Sequence, residues 1–410
     1  MKISLLNLRN GDFVKENSNA FLIVGLSFFI SVCQGGNIQS IGITASKIIK
    51  EFHLSSSQMG MIFGAGTLGM LLGALVGGRF ADIFGKKKIL TLAALISGFF
   101  CLATIQVQDY NSLLLIRFMT GIGLGATMPN LIAVACDAVS IRRRSTAIAV
   151  MFSGNPIGAA AMALVASLNS GVGNWQNIYY IVGLLTLLFV PLIWIFIPIS
   201  GNNISINNLM VKNESIFKIL FGYGRFLKTS ILWLSFFCTL FLFFMMLHWL
   251  PILIVDLGLS HSQSEITQAC FNFGGLFGTF AVGIIIDYFS KRVAVIVTYI
   301  LILAGLIGIS NSSGMMWLSF FISLLGFSAL GASQILNVLA ATCYPSSSRS
   351  TGIGAVVAVG QIGGIVGPAA AGQLFSIGNG ATLIIGTSIP VAIIAAVAAL
   401  IVLQWPDAID

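Results

Sequence analysis

Residues 69–82 have the sequence GMLLGALVGGRFAD, and residues 274–287 repeat its framework as GGLFGTFAVGIIID. Three glycines and the final aspartate stand at the same places in both copies, 205 residues apart. The same offset relates residues 144–146 to residues 349–351, since both triplets are Arg-Ser-Thr. A duplication of half the chain in an apolar sequence is typical of membrane proteins built from two helix bundles that move a solute.

The composition places most of the chain in a lipid bilayer. Hydrophobic residues make up 57% of the 410 residues and charged residues 8%, whereas soluble domains carry about 25% charged residues. The mean hydropathy is +1.00. The net charge of +8 comes from basic residues between apolar runs, so it does not indicate nucleic-acid binding. The six cysteines lack metal-ligand spacing, and we expect no metal and no cofactor.

Twelve apolar runs are long enough to cross a bilayer, which takes about 20 residues. We therefore predict an all-α polytopic membrane protein with two pseudo-symmetric six-helix bundles. The predicted bundles are residues 1–198 and 231–410, and a polar cytoplasmic linker at 199–230 joins them. The predicted spans are 20–43, 57–81, 89–107, 111–136, 146–168, 177–198, 231–255, 264–286, 293–311, 315–341, 351–376 and 381–403.

The distribution of basic residues predicts the orientation. With the N-terminus in the cytoplasm, 17 of the 20 Lys and Arg residues fall in inside segments. Only Lys47 and Lys50 fall outside, and Arg117 lies within a span. Because short cytoplasmic loops carry an excess of Lys and Arg, we predict a multi-pass protein of the cytoplasmic (inner) membrane with both termini cytoplasmic.

A run of charged residues follows the second span. Gly78 is followed by Asp82, Gly85, Lys86 and Lys87. A carboxylate at a helix end, beside basic loops, can pair with the opposite half and release it as the halves move. The alternative is that these basic residues only fix the topology. The residues that we predict to form this cytoplasmic gate are Asp82, Lys86, Lys87, Asp137, Arg142, Arg144, Asp287, Arg292 and Arg349.

This pattern resembles the signature of the major facilitator superfamily, in which Gly, three residues and Asp precede a basic residue, any residue, Gly and two basic residues. Ile83 stands where the basic residue is expected. Arg117, four residues before a Gly-x-Gly, resembles a second motif of the superfamily. Burying an Arg in a membrane helix costs about 3 kcal/mol on insertion scales. Arg117 therefore needs a partner, a water-filled cavity or a path to the outer surface.

Other segments resemble the aromatic acid:proton symporter family, and most of all its 3-(3-hydroxyphenyl)propionate transporters. They include Met128-Pro129-Asn130 in the fourth span, Trp249-Leu250-Pro251 in the seventh and Gly367-Pro368 in the eleventh. The resemblance extends over roughly residues 20–400, and it implies alternating access around a cavity lined by spans 1, 4, 7 and 10. The candidate substrate-binding residues are Gln34, Asn37, Arg117, Asn130, His248, Trp249, Gln334, Asn337 and Gln361.

Two departures from that family bear on the mechanism. The family carries two acids in the first span, where this chain has Gln34 and Asn37, and an Arg in the eleventh, where it has Gln361. Proton coupling through the first span and carboxylate recognition through the eleventh therefore do not carry over. With Asp82, Asp137 and Asp287 near the cytoplasmic ends, no carboxylate is expected at the midplane. Coupling is then either absent or moved to His248 or to those three acids.

We predict a secondary active transporter that moves a small aromatic carboxylate, linked to protons, with Arg117 as the fixed cation within the spans. The alternative is a carrier or facilitator of the same fold for a neutral or zwitterionic compound, without coupling in the first span. We expect a monomer in the bilayer whose partners are the substrate and protons. A membrane-embedded enzyme would need paired carboxylates or a metal set at membrane depth, and the spans show neither.

Overall fold

The computed structural model describes residues 20–140, 143–168, 175–198, 220–222, 225–288, 290–312, 314–344, 349–378 and 380–405. This part of the chain is all-helical, which confirms the predicted fold class. Its twelve long helices are α1 Ala20–Phe52, α2 Ser56–Phe84, α3 Lys86–Ala103, α4 Tyr110–Ala138, α5 Arg144–Leu168, α6 Gln176–Phe196, α7 Phe226–Asp256, α8 His261–Tyr288, α9 Lys291–Asn311, α10 Met315–Cys343, α11 Arg349–Ser376 and α12 Gly380–Val402. Helix α7 begins before the predicted domain boundary at 231, and most of the predicted linker lies outside the described residues.

Eleven of these helices are long and apolar enough to cross a membrane. The exception is α8, whose 28 residues are sufficient in length. It carries Glu265, Gln268 and Asn272, and all three side chains are buried against the rest of the protein. Polar groups that face a protein interior lower the hydropathy of a helix without exposing it to lipid. We therefore count α8 among the spanning helices.

The glycine repeat is explained by close helix packing. A methyl group added at Gly73 of α2 would collide with the Ile122 carbonyl of α4. In the second half, a methyl group at Gly278 of α8 would collide with the Phe327 carbonyl of α10. Each of these four residues lies 205 positions from its counterpart. The repeat therefore preserves a helix pair whose backbones touch, as small residues allow in membranes.

A second helix pair repeats in the same way. Gly158 of α5 lies against the Val32 carbonyl of α1, and Gly363 of α11 lies against the Phe237 carbonyl of α7. The offset is again 205 residues on both sides of the contact. In each half, the first helix packs on the fifth and the second on the fourth. The two halves are therefore pseudo-symmetric in their backbone contacts as well as in sequence.

The halves meet through α2 with α11 and through α5 with α8, two pairs that the same symmetry relates. Gly60 of α2 lies against the Pro368 carbonyl of α11. Ser262 of α8 donates a hydrogen bond to the Ser167 carbonyl of α5 at 3.1 Å. In the predicted orientation these contacts lie toward the outer ends of the helices. The structure is therefore closed on its outer side.

Candidate substrate-binding site

A cavity lies between α1, α2, α4 and α7, near the middle of the bundle. It holds about 310 Å³ of space, counted up to its open side. Because that figure includes solvent at the open side, the enclosed space is much smaller, and the cavity is narrow in this state. Apolar side chains dominate the wall, and its lining residues are Ile38, Ile41, Ile62, Phe63, Gly66, Thr67, Met70, Arg117, Gly121, Leu124 and His248.

Arg117 provides the cation of this cavity. Its side chain lies near the start of α4 and is 4% exposed, so it does not extend to the outer surface. Its Nη2 atom donates to the Asn37 carbonyl at 3.4 Å, and the guanidinium lies over the Tyr179 ring at 5.8 Å from the centroid. Its Nη1 atom is buried without a hydrogen-bond partner among the described residues. A buried cationic donor without an acceptor is costly, and an anionic ligand would satisfy it.

The two amides of the first span are not part of the cavity lining, although Asn37 adjoins Arg117 and Gln34 adjoins Leu124. Both side-chain polar atoms of Asn37 are buried and have no partner in the described part of the chain. Gln34 donates from Nε2 to the carbonyl of Leu124, a cavity residue, at 3.0 Å, and its Oε1 has no described partner. These groups offer both donors and acceptors to a polar substituent. They carry no charge, so they do not neutralise Arg117.

Aromatic rings form the opposite wall. The His248 ring stacks on Phe63, with centroids 4.8 Å apart and an angle of 9° between the planes. Phe244 also stacks on the imidazole, with centroids 6.1 Å apart and an angle of 29° between the planes. The Nδ1 atom of His248 is buried without a described partner. Phe63 was not singled out in the sequence, because one Phe among 31 carries no signal before the helices are packed.

Other predicted binding residues have different surroundings. Asn130 bonds the carbonyls of Ala126 and Gly77, so its amide joins α4 to α2. Trp249 is fully buried, and its indole donates to the Pro368 carbonyl at 2.9 Å. In this state, both side chains serve helix packing.

The remaining predicted binding residues lie on α10 and α11. Gln334 and Asn337 of α10 are half-buried, and neither belongs to the lining of the cavity described above. Gln361 of α11 has a buried Oε1 atom without a described partner. The binding role of these three residues stays a prediction.

A polar contact connects the two halves at the depth of the cavity. Pro251 has no N–H, so the Leu247 carbonyl lacks its usual helical partner. It instead accepts from Gln39 of α1 and Gln268 of α8, each at 3.3 Å. Asn272 of α8 adds a bond to the Gln39 Oε1 atom at 3.4 Å. We call the group of Gln39, Leu247, Gln268 and Asn272 the outer seam.

Glu265 extends the outer seam toward the outer surface. It lies one turn from Gln268 on α8 and is 3% exposed. Its Oε2 atom has no hydrogen-bond partner among the described residues. The sequence analysis named only carboxylates at the cytoplasmic ends, and Glu265 adds a buried carboxyl near the outer end of α8. Glu265 is the second residue of the span predicted at 264–286, where a carboxylate ordinarily contacts water, and the sequence does not show that neighbouring helices cover it.

The cytoplasmic gate residues that the structure describes make contacts within the N-terminal half. Lys86 of α3 pairs with Asp137 of α4 at 2.6 Å. Lys87 lies 5.2 Å from the ring centroid of Trp194. Arg144 donates to the Cys136 carbonyl at 3.2 Å, near the end of α4. In this state, these contacts link α3, α4, α5 and α6 within one half rather than connecting the halves.

The rest of the predicted gate is described less fully. Arg292 is exposed at the start of α9. Arg142 lies outside the described residues, as do the side chains of Asp82, Asp287 and Arg349. Their gating role stays a prediction from the sequence.

Comparison with known proteins places this architecture among transporters. The sequence profile of the Major Facilitator Superfamily matches residues 27–368 and 253–408. The chain is 35% identical over 392 residues to the 3-(3-hydroxy-phenyl)propionate transporter of Escherichia coli (strain K12), with 95% of each sequence covered. It is 28% identical over 386 residues to the 4-hydroxybenzoate transporter PcaK of Pseudomonas putida, with 87% of this chain and 86% of that protein covered.

Solved structures share the fold. The xylose transporter XylE from E. coli, in its inward open conformation, matches with a TM-score of 0.75 at 16% sequence identity. The match covers 95% of this chain and 97% of that chain. The helix arrangement is therefore that of known two-bundle transporters.

Proposed function

The chain belongs to the Major Facilitator Superfamily, and on that premise we propose that it moves a small aromatic carboxylate across the cytoplasmic membrane by alternating access. The proposal is based on one structural observation. The buried Arg117 guanidinium has an Nη1 donor without a partner among the described residues, and it lines a cavity whose wall includes the stacked rings of Phe63 and His248. A cation beside aromatic faces suits a ligand with a carboxylate and a ring.

The relatives support the same substrate chemistry. Those named above are called transporters of 3-(3-hydroxy-phenyl)propionate and of 4-hydroxybenzoate, and a further relative is called a benzoate transport protein. The shared feature of these compounds is an aromatic ring that bears a carboxylate. In our proposal Arg117 binds the carboxylate, and ring substituents bind the Asn37 amide and the Gln34 Oε1 atom, which have no partner among the described residues.

The same proposal includes an orientation. Both termini face the cytoplasm, which the strong inside bias of Lys and Arg supports. Reporter fusions near Asn208 and at the C-terminus should then report a cytoplasmic location, and a fusion near Val172 an external one. A reporter near Asn208 that is accessible only from outside would contradict this topology. We further propose a monomer as the working unit.

The experiment that tests the substrate class is uptake into proteoliposomes. 3-(3-Hydroxyphenyl)propionate, 4-hydroxybenzoate and benzoate are each compared with their primary amides, which keep the ring and lose the charge. We expect saturable uptake of at least one acid and no uptake of its amide. Uptake of the amide at an equal rate would favour the neutral-substrate alternative. An imposed pH gradient in the same vesicles tests whether transport is linked to protons.

A further inference from the structure

The buried carboxyl of Glu265 lies where the two halves close on the outer side. It is 3% exposed, and its Oε2 atom lacks a donor among the described residues. Four residues earlier on α8, His261 Nδ1 lies 3.4 Å from the Ser46 hydroxyl of α1. Between them, Ser262 bonds the Ser167 carbonyl of α5. Glu265 is therefore bordered by contacts that exist only while the halves are together.

The position of Glu265 along α8 gives it access to external water when those contacts break. With a rise of about 1.5 Å per residue, the residue lies roughly 6 Å from the outer end of the helix at His261. Toward the cavity, Gln268 and Asn272 continue the same face of the helix, and both belong to the outer seam. Opening the outer side would hydrate the carboxyl before it exposed the cavity.

Burial and hydration favour different protonation states. A charged carboxylate without hydrogen-bond donors is costly in a low-dielectric interior, whereas a neutral carboxyl is tolerated there. We propose that Glu265 is a proton-binding site, and that its carboxylate takes up a proton from external water as the outer side closes. An O–H bond forms on the carboxylate as one O–H bond of a hydronium ion in external water breaks, and reopening returns the proton to water.

Several titratable groups face this carboxyl. From α1, the half-buried Lys47 acts electrostatically on Glu265 and on His261. No ion pair joins Lys47 to Glu265 within the described residues, so the ammonium does not satisfy the buried oxygen. Protonation of His261 at low pH would place a like charge near Lys50 and Lys47, and this repulsion would favour opening, the opposite direction. Closure at low pH is therefore the result expected if Glu265 takes up the proton, whereas opening at low pH is the result expected for His261.

The other helices that pack on α8 add few charges at this depth. Helix α7 contributes His248 toward the cavity and Asp256 at the outer end, and Asp256 accepts from the Ala381 backbone N–H. Helix α10 has no acidic or basic residue, and α5 has only Arg144 at its cytoplasmic end. Among these groups, Glu265 is therefore the acid that loses its contact with water when the outer side closes.

The test measures closure directly by double electron–electron resonance in nanodiscs. Spin labels at Gln108→Cys and Asn311→Cys occupy exposed positions at the outer ends of the two halves, with the native cysteines replaced by serine. We compare distance distributions at about pH 5.5 and about pH 8. In the otherwise unchanged chain, the ratio of open to closed molecules should fall with acid, by up to about tenfold per pH unit for one proton.

Three variants sharpen the test. Glu265→Gln mimics the protonated group and should be closed at both pH values. Glu265→Asp can still titrate and should keep the response. Lys47→Met removes the nearby cation and should raise the pH at which half of the molecules are closed. As a control, Glu51→Gln, which changes an exposed acid at the outer end of α1, should leave the response intact.

The proposal is overturned if the open-to-closed ratio of the unmodified chain does not change with pH. It is also overturned if Glu265→Gln keeps the full pH response, or stays open at both pH values. The inference rests on the alternating access of the proposed function but not on its substrate. Because no substrate is added, failure of this test leaves the carboxylate proposal standing, and failure of the uptake panel leaves this one standing.

Discussion

Gln39 of α1 donates a hydrogen bond at 3.3 Å to the Leu247 carbonyl of α7, and this bond joins the two halves. The acceptor is available because Pro251 removes the helical donor that would otherwise occupy it. Gln268 donates to the same carbonyl from the C-terminal half. The proline thus creates a cross-half hydrogen bond within a spanning helix, next to a cavity residue, His248.

Removing this donor should weaken the closed outer side. Gln39→Met keeps a similar side-chain length but cannot donate, and one hydrogen bond is worth about 0.5–1.5 kcal/mol. We therefore expect the open-to-closed ratio to rise roughly 2- to 10-fold, as read from the Gln108–Asn311 label distances. Ser40→Ala is the matched control, since the Ser40 hydroxyl bonds the Gly36 carbonyl of its own helix. An equal shift in both variants would contradict a specific role for Gln39.

The repeated glycines predict a stability difference within one motif. Gly73→Ala places a methyl group against the Ile122 carbonyl, whereas Gly78→Ala meets nothing within 4 Å. Overpacking of this kind costs about 1–3 kcal/mol. Thermal unfolding in detergent should show a clear fall in Tm for Gly73→Ala and little change for Gly78→Ala. A similar fall for both would mean that packing against α4 is not the reason for the repeat.

The cytoplasmic gate makes a kinetic prediction. Asp82 repeats at the register of Asp287 beside basic loops, so Asp82→Asn should lower the transport rate more than it lowers substrate affinity. Asp137→Asn is the comparison, because Asp137 pairs with Lys86 inside one half. Exposed pairs contribute about 0–1 kcal/mol, and we expect a near-normal rate. Initial transport rates and equilibrium substrate binding, measured on the same preparations, show whether each variant changes the rate or the affinity.

The aromatic wall predicts ring selectivity. Phe63→Leu removes the ring that stacks on His248, and an aromatic contact of this kind is worth about 0.5–1.5 kcal/mol. Affinity for the aromatic acid that the uptake panel identifies should therefore fall roughly 2- to 10-fold. Phe277→Leu, at a position 64% exposed on α8, should leave affinity unchanged. If Phe63→Leu leaves the affinity unchanged, the ring of the substrate does not bind against Phe63.

The fold was predictable because its signals are periodic and redundant. The 205-residue repeat, the apolar runs and the glycines at matching positions all indicate the same two bundles. Residues such as Gly73 and Gly278 record helix contacts directly, since a larger side chain would not fit. The start of the second bundle was predicted too late, at residue 231. Helix α7 begins at Phe226, and basic residues near its start made this segment look like part of the polar linker.

The site was only partly predictable. Arg117 was identifiable because a cation in an apolar run is costly unless a partner or a cavity receives it. Phe63 and Glu265 were not, since their significance depends on which helix faces them. Asn130 and Trp249 were predicted to bind substrate, yet in this state they bond neighbouring helices. Sequence patterns locate polar residues at membrane depth, but they do not say whether those residues face the cavity or another helix.

In our proposal, Arg117 binds the carboxylate of an aromatic substrate. The most direct test is a cycle in which the chosen acid and its primary amide are each titrated against the unmodified protein, Arg117→Lys and Arg117→Gln. We expect the acid to lose most of its affinity in Arg117→Gln and part of it in Arg117→Lys, since Lys keeps the charge but not the planar fork. The amide should bind all three proteins weakly and about equally. If Arg117→Gln binds the acid as tightly as the unmodified protein does, Arg117 does not bind the substrate carboxylate.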